Sequence, residues 1–498
     1  MRHRTATVAV VLLGACSFNT SGITLQGDAA RPGDGGVEAR VLDGERDGPR
    51  DAPGDGAWPD RAMDLASDGV LDKTGIEKTP ASDRPPDSPP AVDKNALADT
   101  RPPDTRPPDT RPPDTTPPCV GCPLGCVTGT STCRQLAPSN LAAPYPASCG
   151  NLGIVGVINT TTCQAGACSG LAKAQTSGGG NVCLLVVDSL TISSGQKVTV
   201  TGDKPLVVLS KGDVTISGTL DGSASGSTAG PGGGGGGNGT APTTSAPGGG
   251  AGGGKVCACI DTVTDDCGGG GGGFGTTGGN GGAEETCATG GSVGGVVYGN
   301  ATLVPLVGGS GGASTNNSTA AATTMASGGG GGGALQISSQ TKITIGGAIT
   351  MGGAGGIGGA VDGTSPRGGG GGGSGGAVLL EAPQILGTGW VAVNGGGGGG
   401  STCSSPNGGT GQPGQASGTV ALGGPAGGNN GGASYVSAGG NGAAATTAAQ
   451  AGGNVANVGA AGGGGGGLGR IRLNWYASLP APTIKTSGQL SNGTVTPQ

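Results

Sequence analysis

Residues 368–376 read GGGGGGSGG, and tracts of this kind recur between residues 223 and 467. Glycine loses more backbone freedom on folding than any other residue and brings no side chain to a core. The chain has 120 glycines in 498 residues, against three Trp, four Tyr and two Phe. Its order must therefore come from the few apolar segments between the tracts, from backbone hydrogen bonds, or from both.

The apolar segments have a beat. In NVCLLVVDSLTISSGQKVTVTGDKPLVVLSKGDVTISGTLDG, alternating pairs fall eight residues apart: Val182/Leu184, Leu190/Ile192, Val198/Val200, Leu206/Val208 and Val214/Ile216, with Leu220 next. The pattern returns as Leu335/Ile337, Ile343/Ile345 and Ile349/Met351. It returns again as Ala377/Leu379, Ile385/Gly387 and Val391/Val393, and ends with Ile471 and Leu473. Period-two alternation marks strands with one buried face, and even spacing keeps each pair on one side. Short turns such as SSGQ and TGDK join them. The expectation is an all-β chain: a short parallel β-helix (β-solenoid) over residues 181–478, of about four coils at three strands per coil. A hairpin meander closing into an antiparallel sandwich or barrel has the same beat and is the alternative. The solenoid is favoured because the spacing resumes after long insertions, at 223–333, 354–376 and 395–467. These tracts could be flexible linkers. They could instead pack as glycine helices of polyproline II type, with bare backbones bonded to one another.

The N-terminus speaks of location. MRHR is basic, ATVAVVLLGA is a ten-residue apolar core too short to span a bilayer, and Cys16 follows. The junction Leu13-Gly14-Ala15-Cys16 resembles a bacterial lipobox. That resemblance implies removal of residues 1–15 as a signal peptide, acylation of Cys16 and anchoring to the bilayer. Ser17, which is not Asp, implies sorting to the Gram-negative outer membrane, with the side of that membrane left open. Residues 16–118 follow as an acidic, proline-rich stalk, expected to be disordered. Its threefold RPPDT repeat over residues 101–115 favours polyproline II, and at about 3.1 Å per residue residues 101–118 would reach roughly 55 Å. The stalk's aspartates lack the alternation of a calcium loop. The whole chain resembles exported lipoproteins of large-genome Gram-negative bacteria. By composition alone it is also similar to glycine-rich surface proteins of mycobacteria, without their helical opening domain.

An exported chain keeps its thirteen further cysteines where disulfides are the default. The candidates are Cys119, Cys122, Cys126 and Cys133 in a Cys-rich module at 119–180, with Cys149, Cys163, Cys168 and Cys183, and then Cys257, Cys259, Cys267 and Cys287. Connectivity is not readable from spacing. The odd number leaves at least one thiol free or paired between chains. Residues 479–498 read as a tail.

Catalytic motifs are sparse. The only histidine is His3, within the signal, which excludes histidine triads and HExxH zinc from the mature chain. Residues 119–498 are balanced in charge and carry no basic patch, so nucleic acid is not an expected partner. No cofactor is expected. Asp261, Asp265 and Asp266 form a weak candidate metal group. Arg470, Arg472 and Trp475 form a possible ligand face, for which the plain reading is a charged strand blocking edge pairing and an aromatic capping the core. The expected function is structural or adhesive, with polysaccharide or other envelope proteins as partners. A carbohydrate-active solenoid enzyme and a disulfide-linked scaffold are the alternatives.

Overall fold

A computed structural model describes residues 121–498, apart from 129, 154–155, 240–244, 258–265, 285–289, 316–324, 362–365, 430–434, 457–458 and 496. The signal peptide, Cys16, the stalk, Cys119, Cys259, Cys287, Asp261 and Asp265 lie outside the described residues. What is described is all-β, and no helix in it is long and apolar enough to cross a membrane.

The strands follow one another in threes. An entry segment holds β1 (Asn151–Gly153), β2 (Gly156–Asn159), β3 (Gln164–Ala165), β4 (Cys168–Ser169) and β5 (Leu171–Lys173). A first passage follows, with β6 (Val182–Val187), β7 (Ser189–Ile192) and β8 (Lys197–Thr201). The second has β9 (Leu206–Ser210), β10 (Val214–Ile216) and β11 (Thr219–Asp221); the third β12 (Ala334–Ser339), β13 (Lys342–Ile345) and β14 (Ala348–Thr350). The fourth has β15 (Ala377–Glu381), β16 (Gln384–Gly387) and β17 (Trp390–Ala392), and β18 (Arg470–Trp475), β19 (Lys485–Ser487) and β20 (Gln489–Thr494) complete the order.

Corresponding strands of successive passages pair in parallel, so each passage adds one strand to each of three sheets. The register aligns apolar residues in columns: Cys183, Leu206, Leu335, Val378 and Ile471 in one sheet, Leu190, Val214, Ile343 and Ile385 in the second, and Val198, Leu220, Ile349 and Val391 in the third. All belong to a single buried cluster. A hairpin meander does not give parallel neighbours, so the antiparallel sandwich is excluded for this part of the chain. Among the named strands antiparallel pairing is confined to β2–β3–β4 and β5–β6, at the N-terminal end of the stack.

Two expected pairs face the other way. In β6 the core takes Cys183, Leu185 and Val187, not Val182 and Leu184; in β15 it takes Val378 and Leu380, not Ala377 and Leu379. The reason is that this sheet is buried on both faces at β6, β9, β12 and β15. Its outer side lies under Leu141, Phe274, Leu303 and Leu306. A run such as VCLLVV is apolar at every position, so alternation cannot report which face is which. The presumed tail is also corrected, since β19 and β20 extend two of the sheets by parallel pairing. The Cys-rich module is likewise joined to the stack, with β1 beside β7 and β2 beside β8.

All three glycine-rich insertions leave from one corner, after β11, β14 and β17, and return at β12, β15 and β18. Their described parts are ordered by backbone hydrogen bonds. Segment 368–376 is the hub. Its amides at Gly369, Gly372 and Gly375 donate to Ala461, Gly464 and Gly467; those at Gly370, Gly373 and Gly376 donate to Ile357, Ala354 and Met351; those at Gly371 and Ser374 donate to Ala313 and Ser310. Its carbonyls accept from Gly269 and Gly272, from Gly396 and Gly399, and from Gly329 and Gly332. Six neighbouring segments are thus engaged with a recurrence of three residues, that of a polyproline II helix. At Gly369 through Gly373 an added Cβ would overlap a carbonyl oxygen of a neighbour. Here close approach, and not flexibility, demands glycine. At the rim the demand relaxes. In NGGTGQPGQ (407–415) only Gly408, Gly411 and Gly414 donate inward to the segment 353–359, while Thr410, Gln412 and Pro413 are exposed.

Candidate functional site

The outer face of β18 presents Arg470, Arg472 and Asn474, because Ile471 and Leu473 take the core positions between them. The strand is not an edge, since β20 pairs along it, and the edge-blocking reading of its arginines is therefore wrong. Arg470 and Arg472 diverge in role. Arg470 donates from Nε and Nη2 to the Tyr298 carbonyl at 3.1 and 2.9 Å, with its guanidinium 5.6 Å from the Phe274 ring centre. Burial lowers its pKa from the ordinary value.

Phe274 and Tyr298 pack at 4.7 Å between ring centres. The Tyr298 hydroxyl donates to the Gly308 carbonyl and accepts from Ser310 Oγ at 3.0 Å. Burial pushes its pKa up to about 12. The phenol is therefore neutral and held at both ends. Tyr298 borders a hollow of about 430 Å³ whose other walls include Ala251, Gly299, Pro305 and Val307 and whose lining has no charged side chain. The peptide groups of Ala251, Gly299 and Val307 take no backbone partner among the described residues.

Arg472 turns instead towards a buried polar row. Its Nε donates to Asn474 Oδ1 at 2.8 Å, and Asn474 Nδ2 donates to Glu381 Oε1 at 3.1 Å. Glu381 is 2% exposed. Its carboxylate also accepts from Gln336 Nε2 at 2.7 Å, Ser338 Oγ at 2.8 Å, the Ser139 amide at 3.2 Å and the Ser139 hydroxyl. Ser338, Glu381 and Asn474 are register partners on β12, β15 and β18, so stacking alone brings them together. Ser139 and Asn140 lie over them, and Asn140 bonds Gln336 and the Leu303 carbonyl. The row clasps the segment that leads into the body. Its one carboxylate is enclosed by donors, whereas glycoside hydrolysis ordinarily uses a pair.

The remaining expected residues scatter. Trp475 packs partly buried against the main core, and Tyr476 against Leu124, Leu136 and Val495. Asp266 faces Arg367 at 3.5 Å with both side chains buried; the other two acids of the candidate metal group, Asp261 and Asp265, lie outside the described residues. Cys122–Cys133, Cys149–Cys168 and Cys257–Cys267 are disulfides, and Cys126 is disulfide-bonded as well. Cys163 and Cys183 are buried thiols in the structure. Tyr298, Phe274 and the clasp role of Glu381 were not found from sequence. The available signal was that Phe274 is the sole phenylalanine after Phe18, set in a glycine tract where a large side chain needs a reason.

No protein-family model, no curated protein and no solved structure matches this chain.

Proposed function

We propose that this is a lipid-anchored protein of a Gram-negative outer membrane whose body has a structural or adhesive role. In this reading Cys16 carries the acyl chains, residues 17–118 form the stalk, and the three-sheet stack is a short solenoid that carries the glycine bundle. The carrying observation is the hub segment, which spends its backbone groups on six neighbours and admits no side chain but Ser374. A framework of that kind sets positions and leaves few groups for chemistry. The hollow beside Tyr298 supplies a contact surface. An aromatic wall in a lining with no charged side chain of its own suits the apolar face of an uncharged sugar ring, and the peptide groups of Ala251, Gly299 and Val307 have no backbone partner among the described residues to keep them from its hydroxyls.

Growth on labelled fatty acid should label the wild type and not Cys16→Ala, and protease shaving of intact cells should release the body if it faces outward. Retention on a neutral polysaccharide should weaken at least about tenfold, or 1.4 kcal/mol, when Ala251→Trp fills the hollow. Unchanged retention would remove the hollow from the account. A carbohydrate-active enzyme is the rival reading, and the single, donor-enclosed carboxylate of Glu381 counts against it. Release of reducing or unsaturated ends from polysaccharides, with or without calcium, would put that reading first.

A further inference from the structure

Cys163 and Cys183 come from different parts of the entry segment and first passage, yet they meet in the core. Cys163 is 3% exposed and Cys183 is fully buried, both in the main apolar cluster. Their segments are neighbours: the Lys204 amide donates to Thr160 Oγ1 and the Cys183 amide to the Pro205 carbonyl, while Gly170, two residues before Cys183's register partner Ala172, donates its amide to the Cys163 carbonyl. Cys163 closes the turn after β2, where Asn159 Oδ1 accepts from the amides of Thr161 and Thr162 at 2.9 and 3.2 Å. Its φ of 55° lies in the left-handed region, which a residue with a Cβ enters only when its surroundings impose it. Its sulfur is buried, with the Thr160 carbonyl 3.5 Å away, in the same apolar cluster as Cys183. No third His, Cys, Asp or Glu joins the two among the described residues, so a metal site has no further ligand to draw on. Nearby, Cys149–Cys168 is already oxidised, as are Cys122–Cys133 and Cys257–Cys267.

We propose that Cys163 and Cys183 form a further disulfide, one that staples the β2–β3–β4 cap to β6 and so seals the N-terminal end of the stack. The inference rests on the export reading, because it needs an oxidising compartment. Two S–H bonds break and one S–S bond forms. The two electrons and two protons pass to a disulfide of a thiol–disulfide oxidant, which leaves as a dithiol. Burial raises the Cys183 pKa, and the nearby Cys163 adds to the rise, so the thiolate is scarce once the cap has closed. Oxidation therefore precedes closure. The crossing of this link with Cys149–Cys168 ties the turn, the β-hairpin and the first passage into a single unit.

The test uses the full chain from its exporting host, denatured in iodoacetamide without reductant and mapped by peptide mass. Cys163 and Cys183 should escape alkylation and appear as one linked pair. Alkylation of both, with Cys122–Cys133 and Cys149–Cys168 intact, overturns the proposal and leaves export standing. Alkylation of all of these cysteines overturns both. Where Cys163→Ala and Cys183→Ala fold, a disulfide predicts that the double variant melts no lower than the worse single variant. Losses that add would indicate two separately packed thiols.

Discussion

At the scale of single residues, the same amino acid carries opposite costs depending on what stands opposite it. Gly371 lies in the hub, where a methyl would overlap the Gly270 carbonyl. Gly371→Ala should destabilise the protein by about 1–3 kcal/mol or more, and Gln412→Ala at the rim by less than about 0.5 kcal/mol. Thermal unfolding of the two variants checks the contrast. Glu381→Gln keeps the shape but turns one acceptor into a donor facing donors, so a loss of about 1–3 kcal/mol is expected. The acid limb of stability follows from Asp221. Burial works to raise its pKa, but hydrogen bonding from Lys197, 2.7 Å away, and from Ser223 brings it below the ordinary 3.8. A depressed carboxylate stabilises the fold above its unfolded pKa and loses that contribution as pH falls through the folded value. Stability should thus be level from neutral pH down to the ordinary carboxylate range and fall below it, with a shallower fall in Asp221→Asn. An unaltered acid limb in that variant would count against the pairing.

At the scale of elements, the strands were legible and their facing was legible only in part. Leu190/Ile192, Val198/Val200 and Ile343/Ile345 alternate with polar or exposed positions, so one face is marked. β6 and β15 are apolar on both faces, and the covering by Phe274, Leu303 and Leu306 that decides their facing comes from more than seventy residues away in the chain. The glycine segments carry a subtler signature. NGGTGQPGQ announces a three-residue spacing because its outer positions are free to vary, while GGGGGGSGG announces nothing because all its sides are enclosed. Hydrogen exchange should reproduce the difference. Amides from 369 to 376 should be slow without interruption, and between 407 and 415 fast exchange at Thr410 and Gln415 should interrupt slow exchange at Gly408, Gly409, Gly411, Gln412 and Gly414. Uniformly fast exchange across both segments would contradict the bundle.

At the scale of the described body, two kinds of order share one frame. The strand stack buries side chains, and the insertions, deprived of them, satisfy their backbone polar groups against each other, as any enclosed backbone must. The hub connects them, because 368–376 runs directly into β15 and touches segments of all three insertions. Deleting residues 353–375 should therefore raise the exchange rates of segments 266–272 and 461–467, although neither is altered in sequence. The amino-acid order alone determined that the described body is all-β, where its strands lie and where its core must be sparse, because alternation and composition act over neighbouring residues. Only the tertiary structure decided which face of β6 and β15 turns inward, that Arg470 supports Tyr298 while Glu381 clasps Ser139, and that the glycines are packed. Each of those outcomes depends on which distant backbone arrives at van der Waals distance, and a residue without a side chain gives no advance notice of its neighbour.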